Sequence, residues 1–561
     1  MAHEPAFPSG PFLNPEYGRA ENPVRDERYQ VIGEAMNRFQ KGMLISINPS
    51  TGESLGEVAV TSPDQVRKAV SSAAAAFPAW KGSALTERAR ILGRARQILL
   101  DRREEIARII TLEMGRPMAE SLGLEVHAAV DLMGYYQARA QRFLKDRPVS
   151  LHHLLFKRRQ SWLHFEPLGV LGIIAPWNWP LLIPMGGIVP ALLAGNAVVF
   201  KHSEYTPLIS ERIRTLFMEA GVPESIFQIV QGGADTGRAL VDADVQKIFF
   251  TGSTETGHQI LKQAADGLKK CVLEMGGSDP AIVCEDADLD YASSGLVWGG
   301  FSNCGQNCNG VERILVHRNV SSRFMDLFLE KMKVLRVGNG LEDIDIGPLA
   351  TESQLEKMDR LMRVCKQRGG EVLAGGGSIG GAGFYFKPTV VRWESHDQIP
   401  REEVFGPLVH VVAFEDDRQA SAWANDSPFG LASSVWSKSR VHARRLAEQI
   451  QAGTVMINDV IVSFGMPEAG WTGIKQSGIG WVHGEKGLDE MVNIKFISRD
   501  CQDHLQKYWW FPYAPSRVKT FTVALEFLFS RRIMKRAAAM IPVAFQFAPY
   551  LLRNRRRKDR L

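Results

Sequence analysis

Between Gly169 and Glu285 short apolar runs alternate with longer stretches of helical period. The runs are Gly169–Ala175, Ala197–Lys201, Ile226–Val230, Lys247–Thr251 and Pro280–Cys284. Strands apolar on both faces belong in a parallel sheet covered on both sides, and the alternation predicts βαβ units in a doubly wound α/β fold. A second α/β stretch runs from about residue 276 to residue 458. Upstream, Ser62-Pro63-Asp64-Gln65 predicts a helix start, with serine as N-cap, proline at the first helical position and glutamine closing a capping box. Helical period is strong from Thr86 to about Met114 and again near Ala119–Lys145. The charged segment Lys157–His164 predicts a hairpin arm, and residues 1–40, polar and proline-containing, read as an extension.

Gly169–Phe200 contains no charged residue and is long enough to span a bilayer. It also holds prolines at 176, 180, 184 and 190, five glycines, Asn178 and Asn196. That punctuation predicts a buried strand, a loop around Pro176–Pro180, a short apolar helix and a second buried strand. The stretch is therefore not expected to cross a membrane.

The chain has 561 residues, 45% hydrophobic and 23% charged, with 67 Lys+Arg against 62 Asp+Glu. Length and composition predict three to four domain-sized units of an ordinary globular protein and exclude collagen-like, coiled-coil and largely disordered chains. The net charge of +5 is too mild to imply nucleic-acid binding. Six irregularly spaced cysteines and a start without a basic and apolar leader predict free thiols in a reducing, cytoplasmic setting.

The average charge hides a division. From Cys501 onward there are 13 Lys+Arg and 3 Asp+Glu, a net of +10, which leaves −5 for the preceding residues. This tail carries Tyr508-Trp-Trp-Phe-Pro-Tyr513, the apolar run Phe521–Phe529, Arg531-Arg-Ile-Met-Lys-Arg536, a run Ala537–Leu552 broken by Pro542 and Pro549, and the basic cluster Arg553–Lys558. Aromatic, apolar and basic segments in this order suit an element lying in a membrane interface and drawn to anionic lipid. The other reading is an amphipathic tail packed on a partner subunit.

Three segments carry chemistry. Phe301-Ser-Asn-Cys-Gly-Gln-Asn-Cys308 places a thiol in a turn rich in Gly, Asn and Gln, where a thiolate would attack a carbonyl; a structural Cys and a metal pair with Cys304 are the alternatives. The metal pair lacks a second Cys/His pair at zinc-ligand spacing. Leu273-Glu-Met-Gly-Gly277 sets one carboxylate between an apolar strand and a glycine turn, either as a desolvated general base or as an ion-paired cap. Ile248–Gly257 reads as strand, glycine turn and helix; Gly252, Gly257 and Ser253 would favour a phosphate, and an ordinary turn is the alternative.

Taken with Pro176-Trp-Asn-Trp-Pro180, Glu402-Glu-Val-Phe-Gly-Pro407 and Gly473-Ile-Lys-Gln-Ser-Gly478, these segments stand in the order and spacing of the aldehyde dehydrogenase superfamily, which the chain resembles over about residues 41–500. The resemblance implies a Rossmann-like NAD-binding domain from 41–147 and 168–275, and an α/β catalytic domain from 276–483. It further implies a small β oligomerisation arm from 148–167 and 484–500 that pairs copies into a homo-dimer or tetramer, flanked here by the 1–40 extension and the basic amphipathic tail 501–561.

By the same resemblance Cys308 attacks the aldehyde, and the Asn178 amide with the Cys308 N–H holds the oxyanion. Glu274 activates the water that releases the acid. Lys201 and Glu204 would meet the adenosine ribose, favouring NAD over NADP, with Trp177, Gly252 and Ser253 on the pyrophosphate side and Glu403 and Phe405 at the nicotinamide end. No metal is required. Trp179, Ile183, Gly186, Asn307 and Trp471 would line the substrate tunnel, Asn309 flanks the nucleophile, and Gly186, where relatives often carry an aromatic, would widen the tunnel. An apolar inventory favours a medium or long-chain aliphatic or an aromatic aldehyde. Ser278, His202 and Trp481 depart from the usual Lys, Pro and Arg, and Met466–Gly473 is divergent. A coenzyme A-acylating relative and an inactive membrane-associated scaffold are the competing functions.

Overall fold

A computed structural model describes residues 38–153, 156–501, 507, 509–511, 513 and 515–552. The 1–40 extension and the Arg553–Lys558 cluster lie almost wholly outside these residues. The chain divides into two compact units, the larger holding residues 38–144 and 166–493.

In the larger unit the apolar runs become strands: β1 Val170–Ile174, β2 Ala197–Lys201, β3 Phe227–Val230 and β4 Lys247–Thr251, joined by β5 Lys270–Glu274. They form a parallel sheet in the order β5-β4-β1-β2-β3, with the short strand Gly478–Ile479 antiparallel on the β5 edge. Every residue of β1 and β2 is buried, as is every residue of the helix Leu182–Ala194 between them. The uncharged stretch is therefore interior rather than membrane-spanning. It can be apolar throughout because helices close over both faces of the sheet.

The next sheet comprises β6 Asp279–Val283, β7 Val311–His317, β8 Glu371–Ala374, β9 Thr389–Trp393, β10 Leu408–Phe414, β11 Ala432–Trp436 and β12 Thr454–Ile457. Its order is β8-β9-β10-β7-β6-β11-β12, parallel except for β8. In the first sheet the strand order reverses at β1, and ligands of open α/β sheets bind outside the carboxyl ends at such a point. Asn178 follows β1, Lys201 ends β2, Gly252 follows β4 and Glu274 ends β5, so four sequence motifs stand at the carboxyl ends of one sheet.

Two helical expectations need correction. The period from Thr86 to Met114 is two helices, Leu85–Asp101 and Arg103–Met114, broken at Arg102, whose φ of −103° and ψ of 18° leave the helical region. The period near Ala119–Lys145 contains a π-helical segment, Ser121–Val126, before the helix His127–Phe143. The predicted capping box at Ser62 and Gln65 forms as read.

The smaller unit, residues 145–165 with the segment from Ile494 onward, holds the strands Arg147–Pro148 and Arg159–Pro167 and most of Val492–Asp500, the last at one edge of their sheet. Arg159 Nε donates to Ser498 Oγ at 2.8 Å across it. Helices Pro515–Phe529 and Ile533–Leu552 pack through Ala524 and Val543, with Val523 and Phe527 against them. Val518, Leu525, Phe529, Ile533, Met534, Ile541 and Phe545 of the same helices are exposed. Among the described residues no helix is long and apolar enough to cross a membrane.

Candidate active site

Two cavities meet at Cys308. One, of about 320 Å³, runs between Trp179, Leu182, Ile183, Trp298, Asn307, Asn309 and Phe464, with His127 and Asp131 on the exposed side of its helical wall. The other, of about 210 Å³, is bounded by Trp177, Asn178, Gly252, Ser253, Gly276, Lys357, Glu403 and Phe405. The thiol is common to both walls.

Burial raises the Cys308 thiol, and the carboxyls of Asp279, Glu274 and Glu403 push it further in the same direction. Glu274 is likewise held well above the ordinary carboxylate range by burial, against which the Trp471 indole N–H, donating to Oε2 at 2.7 Å, is the one opposing partner. Its other oxygen has no hydrogen-bond partner. Both groups thus favour their protonated forms in the closed site. Ionising either requires a charge or a proton acceptor placed beside it.

The Asn178 side chain donates to the Gln306 carbonyl at 3.1 Å, two residues from the nucleophile. Asn303 and Cys304 take left-handed backbone angles, φ 49° and 55°, and so turn the 301–308 segment back on itself. Trp179 Nε1 donates to Asn307 Oδ1 at 3.0 Å, fixing the aromatic wall beside Cys308.

In the second cavity Ser253 caps the helix Thr254–Asp266, its Oγ accepting from Thr256 N at 3.3 Å. The helix N-terminus is an anion site. Glu403 Oε1 accepts from Gly277 N at 3.1 Å, and a Cβ on Gly276 would lie 2.7 Å from both Glu403 carboxylate oxygens, so glycine is what lets that carboxylate in. Phe405 has φ +50°, and its ring meets Trp177 edge-on at 5.5 Å. A capped helix end, a lysine and a half-buried carboxylate suit the phosphates and ribose of a dinucleotide.

Lys201 and Glu204 lie outside both cavity walls and pair with each other at 3.2 Å. Beside them the Arg38 guanidinium stacks on Tyr205, 4.8 Å from the ring centre, an arrangement the reading of 1–40 as a mere extension missed.

Two tunnel expectations change. Trp471 does not line the tunnel cavity; it is buried, its N–H is spent on Glu274, and its ring meets the cavity residue Phe464 edge-on at 5.3 Å. Gly186 does not line it either. A Cβ there would meet His483 Nε2 at 3.2 Å, so the room left by glycine is taken by the buried His483 ring and does not widen the tunnel. Sequence reasoning missed Leu124, His127, Ala128 and Asp131, whose helical spacing is itself the signal of one shared face.

His202 replaces the usual Pro with a function of its own. It donates through Nε2 to the Pro180 carbonyl at 2.7 Å and accepts at Nδ1 from Ser203 N, and burial lowers it to about 4, so it stays neutral. Trp481 faces Lys486, whose Nζ lies 3.6 Å from the ring centre.

A family model described as "Aldehyde dehydrogenase family" matches residues 38–497. The mitochondrial succinate-semialdehyde dehydrogenase of Oryza sativa subsp. japonica is 36% identical over 454 residues, 80% of this chain and 85% of its own length. The 4,4'-diapolycopene aldehyde oxidase of Methylomonas sp is 33% identical over 500 residues, 88% and 92% of the two chains. Among solved structures, an NAD-dependent aldehyde dehydrogenase from Sinorhizobium meliloti matches with a TM-score of 0.80 at 35% identity, covering 83% of this chain and 93% of its own.

Proposed function

The chain belongs to the aldehyde dehydrogenase family, NAD-dependent oxidoreductases acting on the aldehyde group, and from that premise we propose that it oxidises an apolar aldehyde to the acid through a thioester on Cys308. The observation that carries this reading is the position of the Cys308 thiol as the shared wall of an apolar cavity and a nucleotide-suited one.

With its proton lost to solvent, Cys308 Sγ adds to the carbonyl carbon and forms a thiohemiacetal oxyanion. The Asn178 amide and the Cys308 N–H receive the developing oxyanion. NAD, when bound, supplies the hydride acceptor that turns this adduct into a thioester; Gly252, Ser253 and Trp177 would hold its pyrophosphate, and Glu403 and Phe405 its nicotinamide end. Glu274 then takes a proton from water through its unpartnered oxygen, water adds to the thioester carbonyl, and the thiolate leaves. A base at this position favours hydrolysis over transfer to coenzyme A. Cys308 and Asn178 stand on a cavity wall, and Glu274 ends β5 immediately before the wall residues Met275 and Gly276, a retained set that argues against an inactive scaffold.

Among the described residues no Lys or Arg lines the tunnel, so a carboxylate-bearing semialdehyde would find no cation on that wall, and its aromatic and aliphatic character suits a medium or long-chain or an aromatic aldehyde. The edge strand Val492–Asp500, exposing Ile494 and Phe496, supports pairing with another copy as dimer or tetramer. The basic, apolar tail supports peripheral binding to an anionic membrane surface, where lipid-derived aldehydes partition.

A panel of aldehydes assayed with NAD and with NADP, followed as cofactor reduction, tests the reading. Apolar aldehydes should exceed succinate semialdehyde in kcat/KM, NAD should exceed NADP, and Cys308→Ala should abolish turnover. Activity surviving that substitution would refute the mechanism.

A further inference from the structure

The loop bearing Asn178 and Trp179 is tied down by buried groups that line neither cavity. Arg116, 1% exposed, follows the helix Arg103–Met114. Its guanidinium pairs with the fully buried Glu125 and lies over the Trp179 ring, 4.5 Å from the centre. Nη1 donates to the Asn178 carbonyl at 3.4 Å, and Nε to Ser121 Oγ at 3.2 Å. The same carbonyl accepts from Asn303 Nδ2 at 3.1 Å. Asn303 is in turn fixed by the Glu120 carboxylate, which accepts its N–H at 3.0 and 3.1 Å. Glu125 Oε1 accepts from Leu181 N at 2.5 Å and Leu182 N at 3.1 Å, and His202 holds the Pro180 carbonyl. Residues 178, 180, 181 and 182 are therefore each held by a buried side chain.

Glu120 and Glu125 reach these partners from opposite sides of the helix-to-π transition at Ser121. An α-helix there would rotate one carboxylate relative to the other, and single-turn π segments recur at functional sites for that reason. A buried ion pair is poor evidence for stability, since desolvation offsets its attraction. A planar guanidinium that must bond a carboxylate, accept a ring face and reach a carbonyl at once is a geometric device that a lysine cannot reproduce.

We propose that Arg116, anchored by Glu125, is a positioning residue for aldehyde oxidation: it sets the Asn178 amide and the Trp179 ring relative to Cys308. The inference rests on the reading of Asn178 as oxyanion donor. It assigns Arg116 two separable effects, one on kcat through Asn178 and one on aldehyde KM through Trp179.

The test is a double-mutant cycle on the full chain, measuring kcat and KM for an apolar aldehyde at saturating NAD in wild type, Arg116→Lys, Asn178→Ala and the double variant. Arg116→Lys should lower kcat by about ten- to a hundredfold, the scale of a misplaced oxyanion donor. In the Asn178→Ala background the same change should lower kcat by less than about threefold while still raising KM. Equal losses of kcat in both backgrounds, or Arg116→Lys within about twofold of wild type, would overturn the proposal. Should Asn178→Ala itself leave kcat within about twofold, the oxyanion reading fails, and that result is distinct from a failed coupling. If Arg116→Lys shows no cooperative unfolding transition, Glu125→Gln takes its place in the cycle. Glutamine keeps an acceptor for Leu181 and Leu182 but loses the charge that anchors the guanidinium, so the same coupling should appear with a smaller loss.

Discussion

Trp471 gives Glu274 its one hydrogen bond, and that bond favours the ionised carboxylate against a burial that favours the acid. The sign of a pH effect follows. A base must be ionised to accept a proton, so acid release should fall as pH drops through the raised pKa of Glu274. Trp471→Phe removes the donor and raises that pKa further. A hydrogen bond to a charged group contributes about 1.5–3 kcal/mol, so the acidic limb of kcat under thioester-hydrolysis control should move up by about one to two pH units. An unmoved limb would mean that Glu274 is not the titrating base. Glu204 is paired to Lys201, and on the proposed reading its carboxylate stands where a 2′-phosphate would approach. Glu204→Gln should therefore raise kcat/KM for NADP roughly tenfold with little change for NAD, measured as the ratio of the two reduction rates. An unchanged ratio would remove Glu204 from cofactor choice.

The turn Glu402–Pro407 shows how far an element is legible. Its sequence motif marked Glu403 and Phe405, but not Glu312, the buried carboxylate on β7 that accepts from Val404 N at 2.8 Å and Phe405 N at 3.0 Å and so holds the left-handed Phe405 in place. Gln354 Nε2 secures the Phe405 carbonyl from the other side at 3.0 Å. Glu312→Ala should release the turn and raise KM for NAD about tenfold while kcat at saturation changes less; equal falls in both would argue for general damage instead. The strands were readable because burial on both faces leaves them mostly apolar, and the glycine turns because their motifs are local. The break at Arg102 was not, since the helical period continues through it. Gly186 and Trp471 were misplaced because what fills the space beside a residue, His483 in one case and Glu274 in the other, is settled by a segment far away in sequence. Arg116 and Glu312 share that cause: nothing beside either charged side chain in the sequence marks the distant groups that bury it.

For the whole molecule, charge and apolar exposure separate in the same place. The residues before Cys501 carry a net −5 and those from it onward +10. Among the described side chains of the tail helices Thr520, Ala524, Ala539 and Val543 are buried, while Leu525, Phe529, Ile533, Met534 and Phe545 are left to solvent. Arg531, Arg532, Lys535 and Arg536 stand at or just after the link between the two helices. Among the described residues no helix is fit to span a bilayer, so these helices would meet a membrane in its interface plane, with apolar side chains inserted and basic ones at the headgroups. Each Lys or Arg near an anionic surface contributes about 1 kcal/mol, an attraction that salt screens over about 10 Å. The full chain should therefore co-sediment with vesicles containing phosphatidylglycerol, bind pure phosphatidylcholine more weakly, and lose most of the difference at high salt. Truncation after residue 505 should abolish binding and leave turnover of a water-soluble aldehyde intact. Binding indifferent to lipid charge would assign the tail to apolar insertion alone. A truncated chain that still sediments with vesicles would place the membrane contact elsewhere, and one that changes oligomeric mass instead would give the tail to a partner subunit.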